Sequence, residues 1–182
     1  MWRAFTLIEI LITLTLLTIS ILFISPILFS LQDKWALESE IENLSSFIYQ
    51  IQTKARFQKK NYSLTIAQND AEKKWCIIAI QKESSKQAIC NCLNIKSCVL
   101  TDEYHLYENQ HKNIVLRNKS LFPKSFISID GNAGRLESKC INISLNNTSE
   151  ILQFDQWGRI YVSPKNKRST CCLLYTSDAA DE

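Results

Sequence analysis

Glycine and proline are scarce in this chain, at three residues each in 182. That scarcity excludes a low-complexity or linker-like polypeptide and leaves no Gly-rich phosphate loop or Walker-type motif. No fixed-period repeat of the solenoid kind is present. There are two histidines, His105 and His111. They stand six apart in a polar stretch with Asp102, Glu103 and Glu108, and no nucleophile with an evident base accompanies them, so they read as surface residues. No catalytic residue, cofactor or small-molecule substrate is indicated, and the chain reads as a non-enzyme.

The ending CLLYTSDAADE, residues 172–182, resembles the in-frame translation of a sequencing adapter more than a folded element. Residues 171–182 are therefore set aside, and the chain's own C-terminus is expected to be missing. Removing Asp178, Asp181 and Glu182 changes the formal net charge from +3 to +6.

What the sequence does contain is a long apolar run. From Phe5 to Leu31 one side chain is ionisable, Glu9. A run of that length spans a bilayer as a helix. A carboxylate inside such a segment costs roughly 2.5–3.5 kcal/mol at its centre and less near the interface. Pro26 interrupts the run and is expected to kink the helix rather than end it. Beyond it, Leu37, Ile41, Leu44, Ile48, Ile51 and Ala55 recur at steps of four and three, an amphipathic stripe. Asp33, Glu38, Glu40, Glu42, Gln50, Gln52 and Lys54 fall on the other faces. One helix is expected from about residue 5 to 58, stopping at Lys59-Lys60-Asn61.

The periodicity then changes. Candidate strands are Tyr62–Ile66, Trp75–Ile80, Cys98–Leu100, Tyr104–Tyr107, Asn113–Arg117, Phe126–Ile129, Cys140–Leu145, Ile151–Phe154 and Arg159–Val162. Asp130-Gly131-Asn132 and Trp157-Gly158 read as tight turns, and the polar stretch from Lys82 to Lys96 as a loop. The fold class is α+β, a long N-terminal helix packed on an antiparallel β-sheet domain. Trp35, Trp75 and Trp157 read as packing residues between helix and sheet.

Five cysteines lie outside the suspect tail: Cys76, Cys90, Cys92, Cys98 and Cys140. Outside the cytosol they read as disulfides, the odd number implying a free thiol or a lost partner. Cys90 and Cys92 are too close to bridge each other readily and are expected to reach other partners, such as Cys76 and Cys98. The spacing is not the Cys-x2-Cys pair repeat of zinc sites, so no metal is assigned.

At Phe5-Thr-Leu-Ile-Glu9, behind the short leader Met-Trp-Arg-Ala, the sequence resembles the class III signal of type IV pilins and type II secretion pseudopilins. The long helix, the later strands and the blocks Trp75-Cys76 and Trp157-Gly158-Arg159 are similar to the GspH/FimT-like minor pilins. Within these they look closest to the prepilin-peptidase-dependent, competence-type proteins. The resemblance implies cleavage by a prepilin peptidase between Ala4 and Phe5, with N-methylation of Phe5. Ala4 departs from the usual Gly of that signal. It implies domains at 1–4 (leader), 5–31 (transmembrane and polymerisation helix), 32–59 (amphipathic continuation) and 60–170 (periplasmic β-rich domain). In an assembled bundle, the new amine of one subunit's Phe5 would meet Glu9 of its neighbour, offsetting two charges each costly alone. The implied partners are the peptidase, other major and minor pilins or pseudopilins, and the inner membrane. Arg3 favours a cytoplasmic N-terminus and a periplasmic domain. The function implied is a minor pilin or pseudopilin of a pilus, with a type II secretion pseudopilin as the alternative. DNA binding by an uptake pilus is the alternative of another class, with Arg159, Lys165, Lys167 and Arg168 as candidate contacts. Arg159 has a second reading, as a strand-end anchor.

Overall fold

A computed structural model describes residues 6–82, 89–98, 103–117 and 125–163. One helix, α1, runs from Leu7 to Gln58. Thr6 caps its start in extended conformation, its Oγ1 accepting from Glu9 N at 3.4 Å. The helix passes through Pro26 without ending, although that ring offers no N–H to the carbonyl one turn earlier. It stops where Lys59 turns left-handed (φ 57°, ψ 36°) and Lys60 N–H closes on Ala55 O at 3.1 Å.

The expected stripe is the buried stripe: Leu37, Ile41, Leu44, Ile48, Ile51 and Ala55 face the core. Two residues assigned to the polar faces are buried with it, Glu40 and Gln52. Each has polar partners on distant segments that periodicity does not register.

Among the described residues, eight antiparallel strands form two four-stranded sheets. The first has β1 (Tyr62–Asn69), β2 (Lys74–Gln81), β3 (Tyr104–Glu108) and β5 (Ser125–Ile129) in the order β3-β2-β1-β5. The second has β4 (Val115–Arg117), β6 (Lys139–Leu145), β7 (Thr148–Phe154) and β8 (Ile160–Val162) in the order β4-β6-β7-β8. Hairpins supply the local pairings, with Asn146 at φ 50° in the two-residue turn from β6 to β7. Near Asp130-Gly131-Asn132, a Cβ on Gly131 would stand 2.6 Å from the backbone of Lys60, so only glycine lets this turn reach the end of α1.

The stripe of α1 and the inner faces of both sheets form one core, including Leu64, Ile66, Trp75, Ile77, Phe126, Ile141 and Phe154. Strand β2 is buried on both faces. Trp75, Ile77 and Ala79 point to the main core, whereas Cys76, Ile78 and Ile80 point outward under Cys90 and Cys92. That two-sided burial is why β2 reads as a nearly continuous apolar run. Its outer cover is a 3-10 segment over Cys92–Ser97, kinked at the non-helical Asn94 (φ −136°, ψ 68°), where a loop was expected, and capped by Asn91 Oδ1 accepting from Leu93 N at 3.0 Å. Cys98 ends that turn and begins no described strand; residues 99 and 100 lie outside the described residues.

Of the three tryptophans expected to pack between helix and sheet, Trp75 does so. Trp35 and Trp157 are 68% and 80% exposed, on the outer side of α1 and in the β7–β8 turn.

At the free edge of β8, the Tyr49 hydroxyl accepts from Ile160 N (3.1 Å) and donates to Ile160 O (3.4 Å). A side chain thus occupies both outward backbone groups of that residue.

Candidate assembly interface

Ala4 and Phe5 lie outside the described residues. The helix that follows them begins with Thr6 and Glu9 at the spacing of a capping box. Glu9 is an exposed acid in the first turn, where a negative charge complements the helix dipole. It has no ion-pair partner among the described residues.

From Leu7 to Leu31 the large apolar side chains of α1 are exposed. An 18-residue window of the helix reaches a mean hydropathy of 2.6, so by length and composition the segment can cross a membrane. Five of its six hydroxyls bond within the helix. Thr13 donates to Ile10 O (2.9 Å), Thr15 to Ile12 O (2.8 Å), Thr18 to Thr15 O (2.8 Å), Ser20 to Leu16 O (2.8 Å) and Ser30 to Ile27 O (2.9 Å). A segment that satisfies most of its hydroxyls internally presents mainly hydrocarbon outward, as an apolar solvent or a neighbouring helix requires.

In the second half of α1 the polar groups are satisfied by other elements. Glu40, with 0% of its surface exposed, accepts from Tyr107 Oη at 2.8 Å, Gln110 N at 3.2 Å and His111 N at 3.0 Å. Its Oε2 also lies 2.9 Å from His111 Nδ1. Burial, and then the bond to Glu40, push the Tyr107 hydroxyl well above its usual pKa. The carboxylate fixes the segment between β3 and β4 on the helix.

Lys54 bonds Glu103 and lies 2.7 Å from His105 Nε2. Burial, then the Lys54 charge, hold His105 below its usual pKa; the bond from Lys54 holds Glu103 below the carboxylate range. The two histidines therefore belong to separate clusters. His111 pairs with Glu40, from a segment that its own sequence neighbourhood does not indicate.

The cysteines bridge as Cys76–Cys92, with Cα atoms 6.0 Å apart, and Cys90–Cys98, at 5.6 Å. Cys140 is disulfide-bonded too, so of the two readings of the odd count the free thiol does not hold at Cys140. Thiols held in disulfides are not metal ligands.

Arg159 closes the β7–β8 turn. Its Nε donates to Asp155 Oδ2 at 2.6 Å, and Asp155 Oδ1 accepts from Trp157 N (2.9 Å) and Arg159 N (3.0 Å). Burial alone would raise the Asp155 carboxyl, but these bonds, those from Arg159 first, hold it below its usual value. Gly158, at φ 81°, brings the turn within reach of the helix, where Gln52 Nε2 donates to Gly158 O and Gly134 O at 3.0 Å each. One guanidinium nitrogen is thus bonded at the strand end, while the side chain is largely exposed. Lys165, Lys167 and Arg168 lie outside the described residues, as do 171–182.

No family model matches the chain. A Haemophilus influenzae protein described as uncharacterized is 27% identical over 172 residues, covering 94% of this chain and 99% of its own. Among solved structures, the chain is similar to the type IV minor pilin FimU of Pseudomonas aeruginosa, with a TM-score of 0.49 and 19% identity over 78% of this chain and 98% of that one.

Proposed function

We propose that the chain is a minor pilin or pseudopilin: an inner-membrane protein with a single span, cut between Ala4 and Phe5 by a prepilin peptidase, N-methylated at Phe5, and assembled into a pilus or pseudopilus. The observation that carries this is α1 itself. One unbroken helix exposes its apolar half from Leu7 to Leu31 and buries the stripe of its other half in a folded domain. A signal peptide discarded after export has no reason to be continuous with a core helix. A segment kept for assembly does, because the domain then fixes where the apolar half points. Glu9 is the one ionisable group of that half, and a neighbour's Phe5 amine offsets its cost in an apolar bundle. Pro26 offers a place for the helix to bend. Arg3 on the cytoplasmic side and disulfides on the other support a periplasmic domain.

The machines that fit are a type IV pilus, a competence pilus serving DNA uptake, and a type II secretion pseudopilus, and the neighbouring genes distinguish them. For the DNA-contact reading, Arg159 bonds Asp155 through Nε while its side chain stays 72% exposed, and Lys165, Lys167 and Arg168 complete the candidate set. Charge reversal at these three should flatten the salt dependence of DNA binding in a mobility-shift assay.

The direct test of the reading is intact mass after co-expression with a prepilin peptidase. Loss of Met1–Ala4 and addition of one methyl group are expected. A chain that keeps Met1–Ala4 overturns the processing step.

A further inference from the structure

The apolar run of α1 has polar flanks at a spacing that matches a bilayer. From Ile10 to Leu31 no side chain is ionisable. That stretch is about 33 Å long at 1.5 Å per residue. A hydrocarbon layer is roughly 30 Å thick, and a modest tilt takes up the difference. Glu9 precedes the stretch, and Gln32-Asp33-Lys34 follows it. Trp35 comes next, one helical turn and about 6 Å beyond Leu31. Its indole is 68% exposed and takes no part in the core. Leu37, the first buried residue of the stripe, is two positions on, about 200° around the helix. The indole therefore points away from the domain.

The folded domain reaches the same level from the other side. Asn146, in the two-residue turn from β6 to β7, donates from Nδ2 to Asp33 Oδ2 at 2.8 Å. Asn146 and Asn147 are both exposed. Turn and indole thus flank α1 just where the apolar run ends, and the unbroken helix leaves no linker between run and domain. A tryptophan in this position suits the headgroup layer. Its ring is apolar enough to leave water, and its N–H needs a polar partner that hydrocarbon does not offer. Lys34 stands beside it with an exposed side chain, its 3.8 Å pair with Glu38 being of small energetic weight.

We propose that Trp35 and the β6–β7 turn form a foot that rests in the headgroup layer of a phospholipid bilayer, the indole on one side of α1 and Asn146-Asn147 on the other. The chain then sits in the membrane at a fixed depth, with Glu9 at one interface and Trp35 at the other. Its domain lies directly on the lipid surface. The inference deepens the membrane reading of α1 and rests on it, adding a lipid contact made by the folded domain.

The experiment reconstitutes the full-length chain in vesicles of phosphatidylethanolamine and phosphatidylglycerol. Tryptophan emission of the parent minus that of Trp35→Phe isolates the signal of Trp35, and circular dichroism verifies that the variant is folded. Lipids brominated near the carbonyl ends of their acyl chains should quench that signal at least about twofold more than lipids brominated near the methyl ends, and more than aqueous iodide does. Photoreactive benzoylphenylalanine in place of Asn147 should give lipid adducts. In place of Thr53, exposed and about 27 Å farther along α1 on the side of Trp35, it should give none. Quenching mainly by iodide or by the deep bromines overturns the proposal. So does a lack of lipid adducts from the Asn147 site, adducts there only to protein, or equal lipid adducts from both sites. Alkaline carbonate extraction of the same vesicles separates the two ideas. A chain that resists extraction but fails these tests sinks the foot alone, and a chain that washes off sinks the span and the foot with it.

Discussion

Glu9 and Glu40 stand on the same unbroken helix, roughly 46 Å apart along its axis at 1.5 Å per residue, in opposite situations. Glu40 is fully buried, and its oxygens are met by Tyr107, Gln110 and His111 of the same chain. Glu9 is exposed, and Thr6 reaches only its backbone N–H. The same contrast holds for the apolar residues around them: Leu44 is fully buried and Leu14 is 57% exposed. One half of α1 finds its partners within the chain, and the other, among the described residues, leaves its apolar side chains exposed. Burial in the domain half therefore tests folding, and substitution in the exposed half tests association.

The largest expected effect breaks the comparison most directly. Leu44→Ala should cost about 2–5 kcal/mol of domain stability. Leu14→Ala should change it by less than about 0.5 kcal/mol. Denaturant titration of the full chain in detergent, followed through the buried Trp75, measures both. Equal losses would mean that the two halves are not energetically distinct. Next come the carboxylates. Glu40→Ala leaves several buried donors without their acceptor and should cost about 3 kcal/mol, whereas Glu9→Ala should leave the melting curve of the domain in place and impair fibre assembly. Normal fibres from Glu9→Ala would remove its pairing role. Third, Gln52→Ala frees the turns at Gly134 and Gly158 and should cost about 1–2 kcal/mol, read from the same titration. Faster amide exchange confined to those turns would locate the loss.

The smallest effect is a pH response. His105 is held below its usual pKa, so as pH falls from 7.5 to 5.5 the unfolded chain takes up that proton before the folded one. Stability from this group is therefore present above the unfolded pKa and lost on acidification. Melting temperatures at the two pH values should differ less for His105→Gln than for the parent chain.

The helix and most strands were legible because their signals are local. The stripe from Leu37 to Ala55 is a matter of spacing, and the strands are β-branched or aromatic runs cut by Asn, Asp and Gly. The division into two sheets was not, because β5 pairs with β1 and β4 with β6 across long stretches of chain. Glu40 and Gln52 looked like solvent-facing residues for the same reason. What allows their burial is an acceptor or donor about 67 to 106 residues away. The exposure of Trp157 was hidden too, since an indole in a turn reads as a packing residue until the neighbours of that turn are known. The candidate assembly segment was legible at Phe5–Glu9, a short linear pattern.

The Tyr49 hydroxyl at the rim of β8 has a consequence for how this chain can polymerise. A bare sheet edge is a template on which another chain can add a strand, which is the step that begins uncontrolled aggregation. Here a phenol stands in that place and takes both the N–H and the C=O of Ile160. Sheet growth is blocked at that residue. Under the proposed assembly, neighbouring subunits would meet there through side chains and helices, contacts that can come apart and be remade without unravelling the domain.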